Sequence, residues 1–472
     1  MMVTSPKNHY LPTGLLAALL VCLCLSPVAA QSGKPNVLFI SIDDLNNDLG
    51  CYGNTQVKSP NIDRLAARGV RFDRAYVQYT LCNPSRASFL SGRRPERTGI
   101  YELQTPPRKA MPDAVFLPQL FRQNGYFTAR YGKVYHEGRD DKLSWDVSES
   151  VEFTDAQERT LHQKRYDNPP NQRTPDWTPL DTPEEQTRDA RIAKAIAQLI
   201  EEKAKAGKPF FLAAGLNKPH LPWNVPKKYF EQYQAAKIRV QPDLPQHNIP
   251  PVALMTELFG SPQPSSRAEA IAAYYSAITY MDAQVGVLLA ALDRLKLWDN
   301  TIVVLFSDHG FHLGDHGGLW AKLTLFEQSA RTPLIIALPQ SKQAGKASSR
   351  IVELLDLYPT LATLCNLPLP AGLEGRSLVP LLEAPRAVWP HAAYTMVYHE
   401  VGGEKIEGKS VRNERWRYTE WDAGRKGVEL YDHNSDPREF NNLAADQHYA
   451  KTLKEMKKLM QSQVAQTNKP KS

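Results

Sequence analysis

Residues Asn36–Ile42 read Asn-Val-Leu-Phe-Ile-Ser-Ile, apolar at almost every position, and the chain then turns to two carboxylates, Asp43 and Asp44. A strand with so continuous an apolar run has to be covered on both faces, as in the middle of a parallel sheet. Adjacent carboxylates at the end of such a strand repel one another and lose hydration, so a cation or several donors must compensate them. Further strand-like segments at residues 127–131, residues 209–214 and Thr301–Ser307 also run into reactive side chains. Lys133 and His136 follow the first, Lys218 and His220 the second, and Asp308 and His309 the third, with His312, Asp315 and His316 close behind. Residues 181–206 and 267–295 carry helical patterns between them, the second through Ile271, Tyr275, Ile278, Met281, Val285 and Leu288. Strands alternating with helices imply an α/β fold with an open, mainly parallel sheet, where ligands bind beyond the carboxyl ends of the strands. The reactive clusters all fall at such ends, so one site is expected to gather them. Asp308 and His309 supply the second acidic strand end that makes a metal site with Asp43 and Asp44. Taken singly, His312, Asp315, His316 and Lys322 are explained equally well as solvated or surface hydrogen-bonding groups.

The first 30 residues carry Lys7 and His9 before an apolar run at 15–25, then Val28-Ala29-Ala30, the layout of a secretory signal peptide with a small-residue cleavage site. The run is short for a membrane span, so a secreted or periplasmic protein without a stable membrane anchor is expected. Export leaves three of the five cysteines, Cys51, Cys82 and Cys365. Cys51 and Cys365 either pair or stay free, and three cysteines do not make a disulfide scaffold, so stability must come from a large core. A formal charge of +7 is diffuse, which favours a polyanionic partner or simply solubility, and no basic block interleaved with aromatics points to nucleic acid. Residues 138–180 and 242–264 are polar, proline-bearing and aperiodic, which suits surface loops that select a substrate.

After Gly375 the pattern changes to antiparallel-type strands at residues 392–398 and 415–421, a turn at Ser435-Asp436-Pro437 and a basic closing helix. The expected division is a main catalytic domain over residues 31–385 and a smaller α+β lobe over residues 386–472.

One cysteine stands apart. Cys82 opens a helical stretch, Cys-Asn-Pro-Ser-Arg-Ala-Ser-Phe-Leu-Ser-Gly, with Pro84 suited to a first turn and Arg86 four residues on, on the same face. A fixed cation is therefore expected beside the sulfur. The pattern C-x-P-S-R-x-x-x-L-S-G resembles the signature of the formylglycine-dependent sulfatases. The likeness extends to the Glu-Leu-Tyr-Asp-x-x-x-Asp-Pro-x-Glu-x-x-Asn-Leu pattern at residues 429–443. Within that family the chain is most similar to the iduronate 2-sulfatase branch, through Gly132-Lys133-Val134-Tyr135-His136, Asn217-Lys218-Pro219-His220-Leu221-Pro222 and Ser307-Asp308-His309-Gly310-Phe311-His312-Leu313-Gly314.

That resemblance implies an alkaline-phosphatase-like fold and a Cys82 oxidised to formylglycine by a separate maturation enzyme. It also implies a divalent ion, usually calcium, held by Asp43, Asp44, Asp308, His309 and the modified Cys82. His309 stands where many sulfatases have Asn, and its nitrogen is a less natural donor for a hard cation than an oxygen. Cleavage of a sulfate ester spreads negative charge over the sulfuryl oxygens, and Lys133 and Lys322 are the expected cations around them. A hydroxyl of the aldehyde hydrate, activated with the help of Asp308, would attack sulfur, with Arg86 stabilising the hydrate. His220, aided by Lys322, would protonate the leaving alcohol, and His136 would take the proton of the second hydroxyl. The expected substrate is a sulfated oligosaccharide or polysaccharide, with a 2-O-sulfated uronic acid as the specific form. The alternatives are a phosphonate or phosphate monoester hydrolase of the same superfamily and an unmatured glycan-binding protein.

Overall fold

The structure is a computed structural model that describes residues 33–153, 156–164, 176–255 and 267–467. The leader expected at residues 1–30 lies outside the described residues, as do parts of the loops at 138–180 and 242–264.

Eight strands form the main sheet: β1 (Asn36–Ile42), β2 (Val70–Tyr76), β3 (Phe127–Gly132), β4 (Val147–Glu149), β5 (Phe210–Leu216), β6 (Thr301–Ser307), β7 (Arg331–Ala337) and β8 (Lys346–Glu353). Their order is β8-β2-β7-β6-β1-β5-β3-β4. Only β7 runs against its neighbours, so seven strands point their carboxyl ends to the same edge. In-register pairing of Ile42 with both Leu216 and Ser307 sets the residues after β1, β5 and β6 side by side.

All seven residues of β1 are buried, and their alternation divides them between two cores. Leu38, Ile40 and Ile42 join a cluster with α1 (Pro60–Arg68), α3 (Arg188–Lys205) and α4 (Arg267–Arg294). Val37 and Phe39 face α2 (Cys82–Ser91) and α5 (Leu357–Leu364) on the other side. Each such apolar side chain removed from water stabilises the fold by roughly 2 kcal/mol. Among the described residues α4 is the one helix long and apolar enough to cross a membrane, but its apolar stretch is 78% buried within the protein, as suits a core helix. Cys51 and Cys365 are free, and they lie against opposite cores.

A second, antiparallel sheet follows: β9 (Ala393–Val401), β10 (Glu404–Arg412), β11 (Trp416–Trp421) and β12 (Gly427–Asp432), paired in sequence order. One face packs on α6 (Ala450–Thr467) through Tyr394, Val411, Leu430, Met456 and Met460. The other joins Tyr79, Leu81, Leu319 and Leu323 of the main body through Met396, Val397 and Trp421. Residues from Pro35 onward form a single compact unit, so the lobe is packed on the main sheet. β10 was not expected, because Glu-Lys-Ile-Glu-Gly-Lys-Ser-Val-Arg has few apolar residues. It is paired along its whole length with β9 and partly with β11.

Candidate active site

The carboxyl edge of the sheet assembles the expected groups. Asp43 and Asp44 follow β1, Asp308 and His309 follow β6, Lys133 follows β3 and His220 follows β5, while α2 delivers Cys82 at its first position. Backbone bonds carry the sheet register into these ends: Asp308 N–H donates to Ile42 O (3.1 Å), Asp43 N–H to Leu216 O (3.2 Å) and Lys133 N–H to Gly215 O (2.9 Å). Gly132 has φ of +78°, and a Cβ there would lie 2.2 Å from Gly215 O, so only glycine lets the chain bring Lys133 this close.

Cys82 is at the centre and buried. Its Sγ lies 3.2 Å from Lys322 Nζ, 3.3 Å from His309 Nε2, 3.6 Å from Asp43 Oδ1 and 3.8 Å from Lys133 Nζ. Burial by itself would raise the thiol's pKa, but the two ammonium groups outweigh it and the pKa falls below the ordinary value. Lys133 also donates to Asp43 Oδ2 (2.5 Å), and Lys322 to Asp44 Oδ1. Burial opposes the charge on both lysines, yet Asp43 and Asp44 respectively hold their pKa values above the usual range. The backbone on either side of Lys322 is strained, with φ of +70° at Ala321 and +71° at Leu323. Such conformations are costly for residues with a Cβ, and here they aim the lysine back at Cys82.

Arg86 is fully buried, but its hydrogen bonds go to the carboxylates rather than to the sulfur. Nε donates to Asp308 Oδ2 (2.9 Å), Nη2 to Asp43 Oδ1 (3.2 Å), and Nη1 to the carbonyls of Lys133 (2.5 Å) and Val134 (3.1 Å). Sγ is hydrogen-bonded instead by Lys322, Lys133 and His309.

The ligating atoms of Asp43, Asp44, Cys82 and His309 all lie within 4.8 Å of one another. One cation with ligand bonds of about 2.4 Å spans such a group. Asp308 adjoins it: Oδ1 accepts from Asp44 N–H (3.3 Å) and Oδ2 is 3.6 Å from His309 Nε2. Three carboxylates with one imidazole are donors that fit a hard divalent ion. Burial raises Asp44, with Asp43 adding to the effect against the pull of Lys322, to a pKa of about 6. Asp43 is pulled the other way: burial opposes its charge, but Lys133, His220 and Arg86 bring its pKa well below the usual value.

The two remaining histidines differ in access. His220 Nδ1 donates to Leu221 O (2.6 Å), which leaves Nε2 on the side of Asp44, 3.9 Å from Oδ2, and the side chain is 16% exposed. His136 follows Lys133 with Nδ1 buried and unpaired, and burial followed by the charge of Lys133 pushes its pKa down to about 3. It is therefore a neutral imidazole.

His312, Asp315 and His316 take no part in this group. His312 Nε2 shares a hydrogen bond with Thr324 Oγ1 (2.7 Å) and supports the Lys322 loop. His316 is stacked between Phe326 and Phe440. Asp315 accepts from Leu313 N–H (3.0 Å).

Sequence reasoning missed two supporting residues. Tyr274 OH donates to Asp44 O (2.8 Å) and accepts from Asn46 N–H (2.9 Å), fixing the turn after β1. Asp189, buried in the first turn of α3, accepts from the N–H groups of Asn217 (2.9 Å) and Lys218 (2.8 Å) and so holds the segment that carries His220. Tyr274 reads as one apolar position among many. Asp189 reads as the ordinary acidic residue of a helix start.

Comparison with known proteins agrees with this geometry. Human iduronate 2-sulfatase is 34% identical over 74% of this chain and 73% of its own length. The mouse enzyme is 31% identical over 92% and 96%. A sulfatase of Formosa agariphila is 32% identical over 92% and 87%. Among solved structures, BT4656 in complex with its substrate D-glucosamine-2-N,6-O-disulfate superposes with a TM-score of 0.77 at 24% identity, covering 93% of this chain and 99% of that one. The phosphonate monoester hydrolase of Agrobacterium radiobacter gives 0.76 at 24% identity, over 92% and 96%. Both share the fold. The family profile "N-sulphoglucosamine sulphohydrolase, C-terminal" matches residues 314–466. The sulfatase profile matches residues 35–367, a span that contains every residue of the buried cluster around Cys82, and the chain belongs to the sulfatase family of sulfuric ester hydrolases.

Proposed function

We propose that this protein is an exported sulfatase that removes sulfate from a glycan, with a 2-O-sulfated uronic acid as the specific target, and that Cys82 acts after oxidation to formylglycine. The observation that carries the reading is the position of Cys82 Sγ, buried between Lys322 and Lys133 and against His309 and Asp43. Iduronate 2-sulfatases at 31–34% identity support the choice of target.

In this reading Sγ marks where the hydroxyls of the aldehyde hydrate stand. A divalent cation, calcium in our reading, would be held by Asp43, Asp44, Asp308, His309 and residue 82, and when bound it supplies positive charge that favours a deprotonated hydroxyl and a sulfuryl oxygen. Lys133 and Lys322 lie on either side of the same point and attract the other sulfuryl oxygens. One hydroxyl of residue 82 gives its proton to the carboxylate of Asp308 and forms a bond to sulfur while the ester S–O bond breaks. His220 Nε2 gives its proton to the departing alcohol. The second hydroxyl then loses its proton to His136, the carbonyl re-forms, and sulfate leaves from residue 82. Arg86 holds Asp43 and Asp308 in place throughout, bridging two carboxylates that would otherwise repel each other.

The test pairs mass spectrometry of the peptide carrying Cys82 with sulfate release from a panel of defined sulfated oligosaccharides. A peptide lighter by the difference between a thiol and an aldehyde, with release of 2-O-sulfate from uronic acid, is expected. Faster hydrolysis of phosphonate monoesters in parallel assays would overturn the assigned substrate class.

A further inference from the structure

Lys218 follows β5 together with His220, yet none of the catalytic steps uses it. Its side chain is 4% exposed, and among the described residues the one hydrogen bond of its Nζ goes to Pro222 O (2.6 Å). Burial pushes its pKa below the usual lysine value, against the pull of Glu158 and Asp189. An ammonium taken so far from water with a single carbonyl as its partner is costly. What it holds therefore has to matter.

Residues 217–223 leave β5 as Asn-Lys-Pro-His-Leu-Pro-Trp. Pro219 and Pro222 have no N–H, so an ordinary backbone ladder cannot hold this stretch, and it is tied through its carbonyls instead. Asn217 O accepts from His220 N–H (2.9 Å), and Leu221 O pairs with His220 Nδ1 (2.6 Å). Two further links span His220: Trp223 Nε1 donates to Pro219 O (2.7 Å), and Lys218 Nζ donates to Pro222 O. Pro222 O is the carbonyl next to the one that orients the imidazole. Asp189 fixes the near end of the loop through the N–H groups of Asn217 and Lys218. At the far end Trp223 is fully buried, its ring 5.5 Å from that of Tyr274, the residue that holds Asp44 O.

A general acid works only within hydrogen-bond reach of the departing oxygen, and a shift of about 1 Å can cost about 10²-fold in rate. We infer that Lys218 is a positioning residue for His220: its ammonium, bound to Pro222 O, closes the loop and fixes the imidazole so that Nε2 meets the departing alcohol. The inference rests on the reading of the protein as a sulfatase with His220 as the acid.

Leaving-group dependence tests it. A sugar alkoxide needs a proton to depart, whereas 4-nitrophenolate is stable without one. Lys218→Met keeps the apolar stem, and Pro222 O keeps a second donor in Asn224 N–H (2.9 Å), so the fold is expected to survive, as thermal unfolding will show. In the oxidised full-length protein kcat should fall about 10²-fold on a disaccharide carrying a 2-O-sulfated uronic acid, and no more than about threefold on 4-nitrophenyl sulfate. Groups that act through one another are not additive, so Lys218→Met combined with His220→Ala should be no slower on the disaccharide than His220→Ala alone. Equal slowing on both esters, parental rates on both, or losses that multiply in the double variant would overturn the inference and leave Lys218 a structural residue. Should Lys218→Met fail to fold, Lys218→Gln keeps a donor on a shorter arm and carries the same comparison, with a bias of about tenfold expected. If the parent does not cleave 4-nitrophenyl sulfate, the double variant decides. A parent that releases sulfate from no ester would overturn the sulfatase reading itself, and the role of Lys218 with it.

Discussion

Lys322 and Cys82 are 240 positions apart in the chain, and Nζ of the one lies 3.2 Å from Sγ of the other. The same ammonium group also holds Asp44. A single lysine thus neutralises the buried Asp44 and faces the sulfur of Cys82, so charge and geometry at the site depend on one strained loop.

Replacing Lys322 should therefore affect chemistry and stability together. Lys322→Ala leaves Asp44 buried without its cation, which costs about 3–5 kcal/mol for a broken buried pair. It should also slow turnover about 10²–10³-fold. Lys322→Arg should not restore the rate, because a planar guanidinium does not fit where a compact ammonium lies between Sγ and Oδ1. Steady-state kinetics with thermal unfolding checks both; full activity in the arginine variant would contradict the assigned role.

Cys82→Ala should abolish sulfate release, by at least about 10³-fold, and leave stability within about 1 kcal/mol of the parent. The thiol is surrounded by Lys322, His309, Asp43 and Lys133. Circular dichroism and a sulfate-release assay separate the two effects, and residual turnover near the parental rate would remove Cys82 from the mechanism.

Arg86→Ala should behave differently, as a folding defect. The guanidinium is fully buried between Asp43 and Asp308, and its loss leaves two like charges facing each other, at a cost of about 3–5 kcal/mol. Denaturant unfolding should show the loss even in the unoxidised protein, and an unchanged midpoint would show that the carboxylates are held by other means.

Removing divalent cations with a chelator should stop sulfate release and lower Tm, and calcium should restore both. A cation present at 100 times its Kd adds about 2.7 kcal/mol to the folded state. Unchanged Tm and activity in chelator would mean that Lys133, Lys322 and Arg86 alone compensate the three carboxylates.

His316 gives a pH prediction away from the catalytic centre. Burial, with His312 adding to it, pushes its pKa down to about 4, and both ring nitrogens are buried without partners. The unfolded chain takes up this proton first as pH falls through about 6.5. Its contribution to stability is therefore complete above that pH and declines between about 6.5 and 4, reaching a loss of about 2 kcal/mol at pH 5. Urea unfolding at pH 7 and pH 5 should show a smaller difference in His316→Phe than in the parent; identical differences would count against a neutral, buried imidazole.

The chain's own pattern fixed more of the centre than of its surroundings. A run as apolar as Asn36–Ile42 has one stable setting, the interior of a parallel sheet, and parallel strands deliver their terminal residues to one edge. With the strands at residues 127–131, 209–214 and Thr301–Ser307 and the helices between them, that pattern led to the expectation that Asp43, Asp44, Lys133, His220, Asp308 and His309 meet. The Cys82 signature placed that cysteine at the start of a helix, and the structure puts it there. Local pattern said much less about what the side chains do to one another. Arg86 shares a helical face with Cys82, yet its hydrogen bonds go to Asp43 and Asp308, because carboxylates from two other strands lie within reach. His312 and His316 share a glycine-rich loop with Asp308 and His309 but are spent on packing and loop support.

Tertiary structure alone decided the aim of Lys322, the support given by Asp189 and Tyr274, and the existence of β10. Each depends on contacts between residues far apart in sequence or on backbone angles that periodicity does not report. A repeat of apolar positions states which face of an element is buried; it carries no information about which distant polar atom will be waiting there.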